Sequence, residues 1–325
     1  MREWWFSIVE ILNFRFARYH QQSRIRFTRP EDRTGILTEV MLAHQKNNEG
    51  NSIIHDYLLR DYAEPKDFAS FLYVSQVLQA EGIKLGAEHL RRERPRTMGS
   101  IFWQLNDCWP VASWSSIDSF GRWKALQFYA KRFYAPVLVS PHVENGALAV
   151  YGVSDRTESR SGTLLLQHLG FDGKVLSTTS TQVTVPPLAS TILTSVPLTQ
   201  LSQQSGGKLE DGFIVATLSV AGEPVSRNLT YLLPTRQINL PTAKVNADVT
   251  KDGDELVVKL TTNKLARSVR LVSADDAAEF EDNYFDLLPD ETRSIRVKTK
   301  TGADDFKKTL QVTSLADAFN SSAGS

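Results

Sequence analysis

Apolar and polar positions change their period twice along this chain. From Asp67 to Arg92, apolar residues recur at spacings of three and four (Phe68, Phe71, Leu72, Val74, Leu78, Ile83, Leu85), which predicts a helix. Lys66-Asp67, just after Pro65, makes a start signal. Arg91, Arg92 and Arg94 crowd the end, where cations favour the helix dipole, and Pro95 stops it. Met98 to Leu105 is a short apolar run bounded by Pro95 and Pro110, which reads as a buried strand. Trp123, Leu126, Phe128, Tyr129 and Phe133 then fit a second helix. Helix, strand, helix is the rhythm of a parallel α/β fold.

Pro136 marks the change to short alternating strands. Leu148–Val153, Thr163–Leu169, Gln182–Val185 and Phe213–Leu218 read as strands, with Asn145-Gly146 and Asp172-Gly173 as hairpin turns. A hundred residues in this pattern suggest an immunoglobulin-like sandwich over 136–237. Beyond the Pro234–Pro241 joint, Lys244–Thr250 and Leu256–Thr261 flank Asp252-Gly253, and Ser268–Ser273 and Ser294–Thr299 fit further strands. A second, smaller sandwich is expected over 238–315, followed by a small, polar, disordered tail at 316–325.

Composition narrows the function classes. The 325 residues carry 37 basic and 37 acidic side chains, so no net charge favours nucleic acid or an acidic membrane surface. One cysteine, Cys108, excludes an intrachain disulfide framework. The six histidines (20, 44, 55, 89, 142, 168) show no zinc spacing, and no metal or other cofactor is expected. No apolar run approaches the roughly 20 residues that span a bilayer. Glu3 and Glu10 interrupt the apolar opening, and no small-residue cleavage site follows, which argues against a signal peptide. An amphipathic helix lying on a partner or membrane, or a segment foreign to the fold, are the readings left for this opening.

Four of the six tryptophans lie between Trp103 and Trp123. In Phe102-Trp103-Gln104-Leu105-Asn106-Asp107-Cys108-Trp109-Pro110, aromatics alternate with amides and a carboxylate at the end of the expected strand. Sugars present apolar C–H faces and hydroxyl rims, and a site for them needs an aromatic platform with planar hydrogen-bonding groups. In a barrel of parallel strands the C-terminal ends carry the chemistry. The plainer reading, tryptophans filling a core or an interface, fits Trp114 and Trp123 better than Trp103. His44, beside Gln45 and Lys46, either contacts ligand or structures its loop. Ser115 and Ser116 lack a neighbouring base, and Asn228-Leu229-Thr230 matches a glycosylation sequon that is short enough to arise by chance.

Met98-Gly-Ser-Ile-Phe-Trp-Gln-Leu-Asn-Asp-Cys-Trp-Pro-Val-Ala-Ser-Trp-Ser-Ser-Ile-Asp118 closely resembles the last barrel strand of the β-mannosidases of glycoside hydrolase family 2. Gly121 to Val139 resembles that family too, as do Phe27–Arg33, His44–Asn51, Phe71–Lys84 and Phe285–Asp290. The resemblance implies a multidomain α/β plus all-β protein: the C-terminal part of a (β/α)8 TIM barrel over 27–135, then two immunoglobulin-like β-sandwiches. It implies a retaining hydrolase that removes terminal non-reducing β-D-mannose from β-mannoside oligosaccharides or glycans. It makes Trp103 the platform beneath the reacting sugar, with Gln104, Asn106, Asp107, Trp109 and His44 as further substrate contacts. Trp103–Gln104 becomes a candidate cis peptide.

The chain also departs from that family. A whole barrel takes about 250 residues. Retaining glycosidases use two carboxylates roughly 5–5.5 Å apart, one as acid/base and one as nucleophile. The acid/base glutamate belongs to a strand before Phe27, and the nucleophile to a motif like Ser-Glu-Phe-Gly-Phe-Gln just upstream of it. Here residues 1–26 hold only Glu3 and Glu10, without those neighbours. This predicts a non-family N-terminal segment arising from a frameshift or wrong start, and no catalytic residue in the chain. It also predicts no turnover by the chain alone, and a complementary N-terminal polypeptide as possible partner. A non-catalytic sandwich module binding carbohydrate or a protein partner is the alternative.

Overall fold

The computed structural model describes residues 31–319 except 32, 33 and 48, so the non-family segment expected at 1–26 lies outside the described residues. Before Pro136 the described chain is helical and irregular: α1 (Glu39–Ala43), α2 (Gly50–Asp61), α3 (Phe68–Arg92) and α4 (Ala125–Phe133). α3 starts where expected because the Asp67 carboxylate accepts the Ser70 amide at 2.7 Å, satisfying a donor the helix leaves free. The chain divides into two compact units. Gly82–Phe102 with Ala130–Leu240 forms one; the described residues up to Glu81, Trp103–Tyr129 and those from Pro241 form the other.

In the first unit, β1 (Val137–Glu144), β2 (Ala147–Ser154), β3 (Arg160–Gly170), β4 (Val175–Val185) and β5 (Ser190–Pro197) are followed by the short α5 (Leu198–Gln204), then β6 (Gly212–Val220) and β7 (Glu223–Thr230). They make two antiparallel sheets, β1-β2-β5 and β4-β3-β6-β7. Asn145 and Gly146, both at positive φ (49° and 76°), turn β1 into β2, as the Asn-Gly pair predicts. Alternate residues of both sheets (Val139, Leu148, Val150, Leu164, Leu166, Ile214, Ala216, Leu218) form one buried cluster. The last turns of α3 are tied to this sandwich by polar side chains. Glu88 accepts from Ser140 Oγ at 2.6 Å and Asn228 Nδ2 at 3.0 Å, and Arg91 Nη2 donates to Asp155 at 2.9 Å. Asn228, the sequon residue, is therefore buried and already bonded.

In the second unit, β8 (Val245–Asp252), β9 (Glu255–Thr262), β10 (Ala266–Val272), β11 (Glu279–Phe280), β12 (Phe285–Leu287) and β13 (Arg293–Lys298) precede α6 (Ala303–Thr309) and β14 (Gln311–Thr313). The sheets are β11-β13-β9-β8 and β12-β10-β14, closed over Val258, Leu260, Val269, Leu287, Val297 and Phe306. The first turns of α3 join this unit through Tyr73, whose hydroxyl donates to the Ser268 carbonyl at 2.5 Å.

Three expectations are corrected. Met98–Leu105 is not a buried strand: Ile101 is 97% exposed, and Met98, Trp103 and Leu105 are also open to solvent. An apolar run becomes a strand only where a neighbour takes its backbone groups, and no strand among the described residues pairs with this one. The expected parallel sheet is likewise not found among the described residues. Every ladder is antiparallel, and parallel pairing is confined to the isolated bridges Gln45–Ala112 and Asn106–Ile117. Finally, the tail expected to be disordered from residue 316 begins as a 3-10 turn over Leu315–Ala318. Ser314 and Asp317 cap it reciprocally, and Leu315 and Ala318 are buried.

Candidate functional site

The segment from Trp103 to Lys124 has no regular secondary structure, so side chains must hold it. At its centre Asp107 is only 4% exposed. Its Oδ2 accepts from Lys124 Nζ and from Ser115 Oγ, each at 2.6 Å, and its Oδ1 accepts from Ser113 Oγ. Lys124, wholly buried, also donates to Ser115 Oγ at 2.6 Å. Burying two charges is tolerated only where they pair and their remaining hydrogen-bonding positions are filled. The two serine hydroxyls fill them here. Asp107, expected at the substrate rim, is instead the anchor of the loop.

Backbone bonds complete the frame. Ser116 N donates to the carbonyls of Gln104 and Leu105, Ile117 N to Leu105 O, and Asp107 N to Ile117 O. Farther along, the Asp118 carboxylate receives the amides of Phe120 and Arg122 and the Arg122 guanidinium, closing a tight turn with Gly121 at φ 80°.

The frame leaves Trp103 72% exposed, and the Trp103–Gln104 peptide is cis, as the resemblance implied. Gln104 Nε2 turns back to the Asn106 carbonyl at 2.9 Å, while Asn106 lies open to solvent. Trp109 and His44 are brought together. Their rings lie 5.8 Å apart, and His44 Nδ1 donates to the Pro110 carbonyl at 2.6 Å, which fixes the proton on that nitrogen. The backbone of His44–Lys46 pairs with Ala112, through Ala112 N to His44 O at 2.8 Å and Lys46 N to Ala112 O at 3.2 Å. Behind that pairing, the Gln45 side chain donates to Asn51, whose amide donates to the Ile36 carbonyl at 2.6 Å. The polar loop His44–Asn51 is thus built into the same frame as Trp109. Trp123 stacks edge-on against Phe128, with its outer face open.

Reading residue types along the chain missed Lys124 and Ser113, and took Ser115 as a hydroxyl without a neighbouring base, whereas the structure sets it between Asp107 and Lys124. The available signal was physical: a buried carboxylate needs a cation, and Lys124 is flanked by residues of an apolar helix face. Among the described residues no group of three or more His, Cys, Asp or Glu side chains could hold a metal ion.

The arrangement presents aromatic faces and amides to solvent on a loop tied by buried side chains. Residues 146–237 match the Mannosidase Ig/CBM-like domain, and residues 240–318 match the Ig-fold domain of mannosidases. Both matched domains belong to the domain set of mannosidases. The goat (Capra hircus) β-mannosidase is 30% identical over 280 residues, covering 82% of this chain and 32% of the goat protein. β-Mannosidase A of Neosartorya fischeri is 27% identical, over 77% of this chain and 29% of its own length. The crystal structure of a β-D-mannosidase from Dictyoglomus thermophilum superposes with TM-score 0.83 at 26% identity, covering 94% of this chain and 38% of that one. An exo-chitosanase from Amycolatopsis orientalis, 18% identical with TM-score 0.69, shares the fold. The chain is a relative of the C-terminal portion of the β-mannosidases of glycoside hydrolase family 2, and it spans about a third of the length of the curated relatives it matches.

Proposed function

We propose that this chain supplies the sugar-recognition wall of a retaining β-mannosidase, acting on terminal non-reducing β-D-mannose, and not its acid–base chemistry. The observation that carries the reading is Trp103: a large aromatic face open to solvent on a loop whose backbone is fixed by the buried Asp107–Lys124 pair. A pyranose stacks its C–H face on such a platform while amides take its hydroxyls. In this reading Asn106, Gln104, Trp109 and His44 supply the further sugar contacts, and Asp107 positions the loop without touching substrate. In this reading residues 27–135 are the closing part of a (β/α)8 barrel. The solvent-open Ile101, Trp103 and Leu105 would then face neighbouring strands or substrate supplied by a complementary N-terminal polypeptide.

Glycoside hydrolysis needs one carboxyl group to protonate the leaving oxygen and another to attack the anomeric carbon. Neither is assigned to this chain, so the 325 residues tested alone should not hydrolyse an aryl β-mannoside. Activity should appear when the chain is co-expressed with the N-terminal region of a related β-mannosidase carrying both glutamates. Turnover at ordinary rates by the chain alone would overturn the reading, as would failure of a soluble, co-purifying pair to show any turnover.

A further inference from the structure

Strand β3 points Leu164 and Leu166 into the core of the first sandwich, and the next residue on that face is His168. Its imidazole is 1% exposed, and neither ring nitrogen has a hydrogen-bond partner. The space for the ring is built in: residue 212 on the neighbouring β6 is glycine, and a Cβ there would fall 2.8 Å from His168 Nε2. Beside the ring lies a cavity of about 30 Å³. That is room for about two water molecules. Ser177 and Thr179 of β4 and Gln200, Leu201 and Gln204 of α5 border it.

α5 is the loosest wall. It has seven residues, follows Pro197 without a side-chain cap, and buries only Leu201. Gly206 and Gly207, both at positive φ, follow it closely. We propose that the His168 pocket is a proton-binding site whose occupation releases α5 as a strap. A neutral imidazole is satisfied by water, accepting on one nitrogen and donating from the other. An imidazolium carries a full charge and two donors, and no carboxylate faces it. The groups around the cavity are Ser177 and Thr179 from β4, Val196 from β5, Ile214 from β6 and the two glutamines from α5, so His168 is its sole titratable side chain. Burial accordingly holds the ring below the usual histidine range. Lifting α5, which lets enough water in to solvate a charged ring, is the least disruptive relief, because the other walls are strands in ladders.

The proposal is independent of the sugar-site reading. Hydrogen exchange of the full chain tests it, with protection factors compared at about pH 7.5 and about pH 5. Relative to β1 and β2 of the same sandwich, which carry any acid loss of the unit as a whole, protection of Leu198–Gln204 should fall further on acidification, by at most about tenfold per pH unit for one coupled proton, and this excess is the response. Strands β9 and β13 of the other sandwich should not respond. His168→Leu and His168→Gln, the second keeping a polar side chain in case the first disturbs folding, should each abolish the response. An α5 whose protection is the same at both pH values, or a response that survives in the folded variants, would overturn the proposal.

Discussion

The sandwiches and the Trp103–Lys124 loop hold their backbones by opposite means. In the sandwiches, strands alternate inward apolar and outward polar residues, and ladder hydrogen bonds satisfy the main chain. Leu164, Leu166, Ile214 and Leu218 are all buried as that pattern demands. In the loop the apolar side chains Trp103 and Leu105 face out, while the charges of Asp107 and Lys124 face in. Ordinary folding preference is inverted there, and the sugar-site reading proposed above rests on that inversion. A sheet distributes its stability over many contacts, whereas the loop concentrates it in one ion pair and two hydroxyls.

The difference is open to attack by substitution. The largest loss of stability should come from Lys124→Ala, which strands a buried carboxylate, at about 3–5 kcal/mol. Chemical denaturation of the full chain measures it, and a loss below 1 kcal/mol would show that the pair is not the anchor. Leu260→Ala, in the core of the second sandwich, should lose about 2–4 kcal/mol through its cavity. Ser115→Ala removes one hydroxyl from Asp107 and should cost about 1–2 kcal/mol. Trp103→Ala, whose side chain is largely in water already, should change stability by less than about 0.5 kcal/mol.

Acid should separate the regions too. His142, on β1, is held down at about 4 by burial and by the adjacent Arg92. Its unfolded counterpart takes a proton near pH 6.5. Between those values the unfolded state binds more protons than the folded one, so this contribution to stability is complete above pH 6.5 and is lost as pH falls toward 4. His142→Gln should flatten the acid limb of the stability curve for the first unit, as followed by residue-resolved hydrogen exchange.

How much could be read in advance follows the same division. β2, β3, β6, β9 and the Asn145-Gly146 turn were legible because alternation and turn chemistry are local. α3 was legible because its periodicity and its terminal signals agree. Met98–Leu105 misled because apolarity states what a segment would bury, whereas strand formation depends on a neighbour. Asp107 misled because a carboxylate beside tryptophans looks like a rim group until its partner, seventeen residues on, is placed against it. Trp103 stands out in the sequence through the density of tryptophans and amides around it, and its exposure is a property of the fold alone.

The most direct measurement is the kcat/KM for an aryl β-mannoside of the chain reconstituted with the complementary N-terminal region, comparing Trp103→Ala with Trp123→Ala. Loss of a stacking platform should remove about 2 kcal/mol of transition-state binding, roughly a thirtyfold fall, for Trp103→Ala. Trp123→Ala should stay within about twofold. Equal activity of the Trp103→Ala and unsubstituted assemblies would contradict the assignment of Trp103 as the sugar platform.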